Sequence, residues 1–195
     1  MLSIHPMRIL GRWQEGYTLD FHTIRSDLVG YDEVGHPIFE TVRSEIGELL
    51  YQLKYRQDRA SVPPIAEAAC SFIASWRAPI EAIVPVPPSK PRHMQPVFLL
   101  AEEIARRMGL PFLPCVEKVS EIPELKNIYE LDRRIELLTG AFSIDNAMVE
   151  GRNILLFDDL YRSGATMNAV SSALYDQGNV RNVFSLTITR TRSVR

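Results

Sequence analysis

Asn153-Ile154-Leu155-Leu156-Phe157-Asp158-Asp159-Leu160-Tyr161-Arg162-Ser163-Gly164-Ala165-Thr166 is the stretch whose reading decides the fold. Four apolar residues in a row predict a buried parallel strand, because both faces of such a strand are covered. Two carboxylates stand at its C-terminal end, where open α/β sheets bind ligands. Small and hydroxylated residues follow, and Met167, Val170 and Leu174 then recur at helical spacing. Ser163 is the expected N-cap, with Gly164, Ala165 and Thr166 in the first turn. Free backbone N–H groups, two hydroxyls and the positive end of a helix dipole would then surround one point, which suits a phosphate. Asp158 and Asp159 beside it can accept hydrogen bonds from sugar hydroxyls, so the pattern implies a ribose-5-phosphate pocket. A strand ending in Asp-Asp also occurs in response-regulator receivers and other doubly wound folds. A Walker loop is excluded, because the G-x-x-x-x-G-K-[ST] spacing is absent.

The stretch resembles the signature of type I phosphoribosyltransferases, in which two acids follow a hydrophobic strand and precede a hydroxyl- and glycine-containing phosphate loop. The resemblance implies that Asp158 and Asp159 hold the ribose 2- and 3-hydroxyls. It implies that the backbone of Tyr161, Arg162, Ser163, Gly164, Ala165 and Thr166, with the side chains of Ser163 and Thr166, holds the 5-phosphate. Arg162 departs from the family, where a small hydroxylated residue is usual.

At 195 residues the chain is expected to be a single domain, with an N-terminal extension over residues 1–43 and a core over 44–195. An apolar content of 46% is ample for a core. The formal charge of −2 gives no global reason to expect direct binding of nucleic acid or of an acidic membrane. Arg190, Arg192 and Arg195 form a local basic run whose simplest reading is a solvated tail. Cys70 and Cys115 form no C-x-x-C pair, and with four scattered histidines they give no metal-ligand spacing. Two unpaired thiols, no apolar signal region and no membrane-length segment lead to the expectation of a soluble, cytoplasmic protein.

Tyr17 to Ile24 alternates, with Tyr17, Leu19 and Phe21 on one side, and predicts a half-buried strand. Leu28 to Tyr31, the turn signal Asp32–Pro37 and Ile38-Phe39 extend this to a small antiparallel sheet over residues 1 to 40. His22 and His36 read as surface residues. From Ser44 the period turns helical (Ile46, Leu49, Leu50, Leu53), closed by the cations of Lys54-Tyr55-Arg56. Pro63-Pro64 opens a second helix carrying Ile65, Ala68, Ala69, Phe72, Ile73 and Trp76. Ala82 to Val86 is expected to be the first strand of the parallel sheet, and Phe112 to Val119 the second. Between them a helix from Val97 to Met108 stops at Gly109. Gly140 to Ile144 and Val180 to Thr189 are further strands.

Pro87-Pro88-Ser89-Lys90-Pro91-Arg92, after the Val84–Val86 strand end, is a stiffened loop carrying two cations, which suits a second anion. With Leu53-Lys54-Tyr55 and Gly140-Ala141-Phe142, this loop is similar to that of the ComF group of phosphoribosyltransferases. By that resemblance Pro88, Ser89, Lys90 and Arg92 bind pyrophosphate. The polar segment between Lys118 and Gly140 corresponds to a lid, with Lys126 and Arg134 as catalytic candidates. The group's usual glutamine and asparagine are not matched there. Its cysteine-rich zinc ribbon is replaced by the N-terminal β unit, so the resemblance covers roughly residues 44 to 190.

The fold implied is α/β: a mostly parallel twisted sheet flanked by helices, with a small N-terminal β hood over residues 1–43. The ligand implied is phosphoribosyl pyrophosphate with Mg²⁺, the metal held mostly by substrate and water near Asp158 and Asp159, with no direct protein ligand. The reaction implied is transfer of the phosphoribosyl group to a nucleobase or other nitrogen acceptor with release of pyrophosphate. The alternative is a non-catalytic binding or regulatory protein, such as an accessory of DNA uptake. A homodimer is compatible with the fold class.

Overall fold

The organising strand is longer than its apolar run: Asn153–Tyr161 is extended throughout, so both aspartates lie within it rather than after it. The protein is represented by a computed structural model that describes residues 2–88, 94–119, 138 and 140–192. In chain order its strands are β1 (Met7–Arg8), β2 (Glu15–Phe21), β3 (Thr23–Tyr31), β4 (Pro37–Arg43), β5 (Ala82–Pro85), β6 (Val116–Lys118), β7 (Phe142–Ile144), β8 (Asn153–Tyr161) and β9 (Asn182–Arg190). The α-helices are α1 (Glu45–Tyr51), α2 (Val62–Trp76), α3 (Pro96–Met108) and α4 (Ala165–Asp176). A π-turn, Gln52–Arg56, continues α1.

The main sheet has the order β1-β2-β9-β8-β5. β2, β9, β8 and β5 run parallel, and only β1 is antiparallel. All four parallel strands therefore end at one edge, and β8 lies inside the sheet. Alternation along β8 builds two cores. Ile154 and Leu156 join α4, the β6–β7 ribbon and Trp13 on one face, while Leu155 and Phe157 join α1, α2 and α3 on the other.

Two expectations need correction. The strand read into a small antiparallel N-terminal sheet is β2, which pairs parallel with β9 in the main sheet. Thr18, Leu19 and Asp20 are all buried, so two polar residues in a doubly covered strand imitate the alternation of a half-exposed one. Residues before it also belong to the core. The Arg12 amide donates to Asn168 Oδ1 at 2.7 Å, and its guanidinium reaches Ser172 at 3.1 Å and Asp176 at 2.9 Å, clamping α4. What stands apart from the main sheet is the β3–β4 hairpin, which leaves Leu28 and Phe39 half exposed. Second, Val116–Lys118 is not a strand of the parallel sheet but pairs antiparallel with β7. Phe112 makes only an isolated parallel bridge to Ile83. Pro114 supplies no amide to continue that ladder.

Candidate functional site

At the shared C-terminal edge, β8 presents Asp158 and Asp159, and the pleat aims them to opposite sides of the sheet. Asp159 has the parity of Phe157 and meets Lys54 of the π-turn: Lys54 Nζ lies 2.9 Å from both Oδ1 and Oδ2. The side chains are only 14% and 13% exposed, so this pair is largely withdrawn from solvent. Asp158 has the parity of Leu156 and aligns with Thr187 of β9, whose buried hydroxyl has no hydrogen-bond partner among the described residues. Its Oδ1 accepts the Asp159 amide at 2.8 Å. Burial, and then the adjacent Asp159 charge, push Asp158 up to about 8, against smaller lowering by backbone amides and Lys54. The grip expected from two equivalent acids is thus asymmetric, one carboxylate charge-paired and the other proton-retaining.

This asymmetry gives a stability prediction with a definite sign. An acid whose folded value is raised binds more protons folded than unfolded, so its stabilising contribution is full below the ordinary value of 3.8. That contribution is lost as pH rises through about 8. Asp158→Asn should therefore melt like the wild type near pH 4 and above it near pH 9. Thermal melts across that range check this, and a wild-type curve parallel to that of the variant removes the assignment.

The loop after β8 departs from the expected cap. The helix begins at Ala165 and its N-cap is Gly164 at φ +77°, not Ser163. Ser163 Oγ still approaches the Ala165 amide at 3.5 Å. Among the described residues, the amides of Arg162, Ser163, Gly164 and Thr166 donate to no protein acceptor, so four N–H groups surround the start of α4. A Cβ on Gly164 would lie 2.6 Å from Tyr161 Oη, because the Tyr161 ring closes over this glycine. Arg190 stands 5.8 Å from the Tyr161 ring centre, and its Nε is buried without a partner among the described residues. Arg190 thus belongs to the edge of the site, and the tail reading fails for it. Arg192 lies over Phe21 at 5.8 Å. Arg162 is exposed.

Three further residues escaped the sequence reading. His22, at the end of β2, is 3.3 Å from Thr189 Oγ1 and is no free surface residue. Burial, then the cations of Lys54 and Arg43, hold it below the usual histidine value, partly opposed by Asp159, so it is neutral near pH 7. Arg43 lies 3.7 Å from the Tyr51 ring centre and pairs with Glu48 at 3.1 Å. Lys54 is 105 positions from Asp159 in sequence, so only the fold joins them. The one sequence signal for it was the Leu53-Lys54-Tyr55 resemblance. On the far side, Pro88 follows β5, whose next residue, Val86, donates its amide to Phe157 O at 2.8 Å. Ser89, Lys90, Arg92, Lys126 and Arg134 lie outside the described residues.

No family model matches the chain. It is 27% identical over 156 residues to competence protein ComFC of Bacillus subtilis, covering 77% of this chain and 62% of that protein. The chain thus spans less than two thirds of that relative's length. Among solved structures it is similar to adenine phosphoribosyltransferase from Saccharomyces cerevisiae, at 17% identity and TM-score 0.46 over 84% of this chain and 83% of that one. It is also similar to the adenine phosphoribosyltransferase of Thermoanaerobacter pseudethanolicus, at 18% identity and TM-score 0.45 over 86% and 95%. By sequence, then, the chain is similar to ComFC over 156 residues, and its acid-pair strand and the loop after it lie at the C-terminal edge of a mostly parallel α/β sheet.

Proposed function

We propose that the chain binds phosphoribosyl pyrophosphate and transfers its phosphoribosyl group to a nitrogen acceptor with release of pyrophosphate. The observation that carries this reading is that the amides of Arg162, Ser163, Gly164 and Thr166, close after two acids at a sheet edge, donate to no acceptor among the described residues. A phosphate placed there accepts those N–H groups and the favourable end of the α4 dipole. Asp158 and Asp159 receive the sugar hydroxyls, and in sequence the prolines after β5 precede Lys90 and Arg92, whose charges suit the pyrophosphate.

Among the described residues no group of three or more His, Cys, Asp or Glu side chains could hold a metal, which suits Mg²⁺ that keeps water and substrate oxygens better than a metal that needs an all-protein cage. When bound, Mg²⁺ supplies charge neutralisation on the leaving pyrophosphate. The chain's own residues bind the 5-phosphate, orient the ribose and hold the acceptor in line at the anomeric carbon. The β3–β4 hairpin, which stands off the main sheet next to the end of β2, takes the part of a hood over the acceptor.

A non-catalytic reading, a ribose-phosphate-binding accessory of DNA uptake, draws support from the likeness to a competence protein. One screen separates the two. The purified chain is titrated calorimetrically with phosphoribosyl pyrophosphate and Mg²⁺, then assayed with nucleobases for pyrophosphate release. Turnover with any base is the expected result, binding without turnover supports the accessory reading, and no binding overturns both. Among the described residues, no helix is long and apolar enough to cross a membrane.

A further inference from the structure

From the contact between the π-turn and β8 we infer that Lys54 is a positioning residue, holding the Asp159 carboxylate in the orientation that recognises a sugar hydroxyl. The inference rests on the proposed ribose-phosphate reading and adds to it a residue from outside the strand and loop. An ammonium 2.9 Å from both oxygens of one carboxylate fixes the carboxylate plane, and it leaves lone pairs of both oxygens for further donors.

The lysine is itself held by the fold. Ser44 Oγ donates to Phe21 O at 2.5 Å and accepts the Gly47 amide at 3.0 Å, pinning the start of α1 to the end of β2. Gly47 lies against the His22 carbonyl, where a Cβ would collide. At the other end of α1 the helix widens into the π-turn, in which Leu53 is fully buried and the Gln57 amide returns to Gln52 O. Insertions of this kind re-aim side chains and recur at functional sites. Leu53 anchors one side of the turn, and Lys54 is carried to the sheet edge.

The groups around Asp159 make a second orienting partner scarce. Thr189 Oγ1 reaches the Asp159 backbone carbonyl at 3.5 Å rather than its carboxylate. His22 is held below the usual histidine value, and Asp158 supplies no cation. A pair that only stapled the π-turn to β8 would affect stability without affecting which sugar is bound.

The test titrates the intact chain with ribose 5-phosphate and 2-deoxyribose 5-phosphate, comparing wild type, Lys54→Arg and Lys54→Met. The wild type should prefer ribose 5-phosphate by about tenfold or more, the scale of one charge-assisted hydrogen bond. Lys54→Met should bring the ratio close to one while still binding the deoxy compound, and Lys54→Arg should restore part of the preference. Should Lys54→Met fold poorly in thermal melts, Lys54→Gln, which keeps a donor without the charge, reads the same ratio. A wild-type preference retained in both neutral variants overturns this inference alone. Wild-type binding of neither sugar phosphate overturns the pocket reading and this inference with it.

Discussion

A chain carrying Asp158→Asn together with Asp159→Asn is expected to lose at least about 100-fold in affinity for phosphoribosyl pyrophosphate with Mg²⁺. A hydrogen bond with a sugar hydroxyl contributes roughly 1.5–3 kcal/mol at the charge-paired Asp159 and roughly 0.5–1.5 kcal/mol at the proton-retaining Asp158, and every 1.4 kcal/mol is about tenfold. Asparagine keeps one acceptor oxygen, which places the estimate at the lower end. Calorimetry measures the loss, and equal affinity in the double variant removes the site. The single variants should differ in stability near pH 8. Asp158→Asn relieves a carboxyl whose ionised form is penalised by burial. Asp159→Asn leaves Lys54 only 14% exposed with no carboxylate to pair with, and should lower the melting temperature. Affinity and stability are thus separable at neighbouring positions, a result that general disruption of the strand end would not give.

Gly164→Ala should abolish most phosphate binding at the loop for two separable reasons. The residue sits at φ +77°, where a side chain is strained by roughly 1–2 kcal/mol. Its new methyl would also lie 2.6 Å from Tyr161 Oη and 2.8 Å from Cε2. Tyr161 can yield only by leaving its place between Gly164 and Arg190, which would displace the amides that surround the helix start. Ribose 5-phosphate affinity should fall more than tenfold, with a melting temperature lowered by several degrees. Adding Tyr161→Ala relieves the collision and leaves the backbone strain, so it should recover part of the affinity but not all of it. An alanine variant that binds ribose 5-phosphate as the wild type does would show that the loop is not the phosphate cradle.

Much of this was legible in the chain alone, because the information is local. A run of four apolar residues, two acids and a small-residue turn specify a doubly covered strand, its acidic C-terminal end and the helix after it without reference to distant residues. The prolines of α2, the glycine ending α3 and the Asp32–Pro37 turn acted in the same local way, since φ restriction and chain reversal depend on near neighbours.

The tertiary structure decided what alternation cannot express: which strand a given strand pairs with, and what covers each face. Thr18 and Asp20 read as solvent-facing because they are polar, yet β9 and the helices enclose them. The helix cap is Gly164 rather than Ser163, at a φ of +77° and under the Tyr161 ring, where a residue without a side chain fits. Lys54 looked like a helix-ending cation because its partner is 105 residues away. Composition and spacing placed two acids and a small-residue turn at one strand end. Long-range packing, by half-burying Asp158 and setting a cation against Asp159, decided that its two acids are not alike.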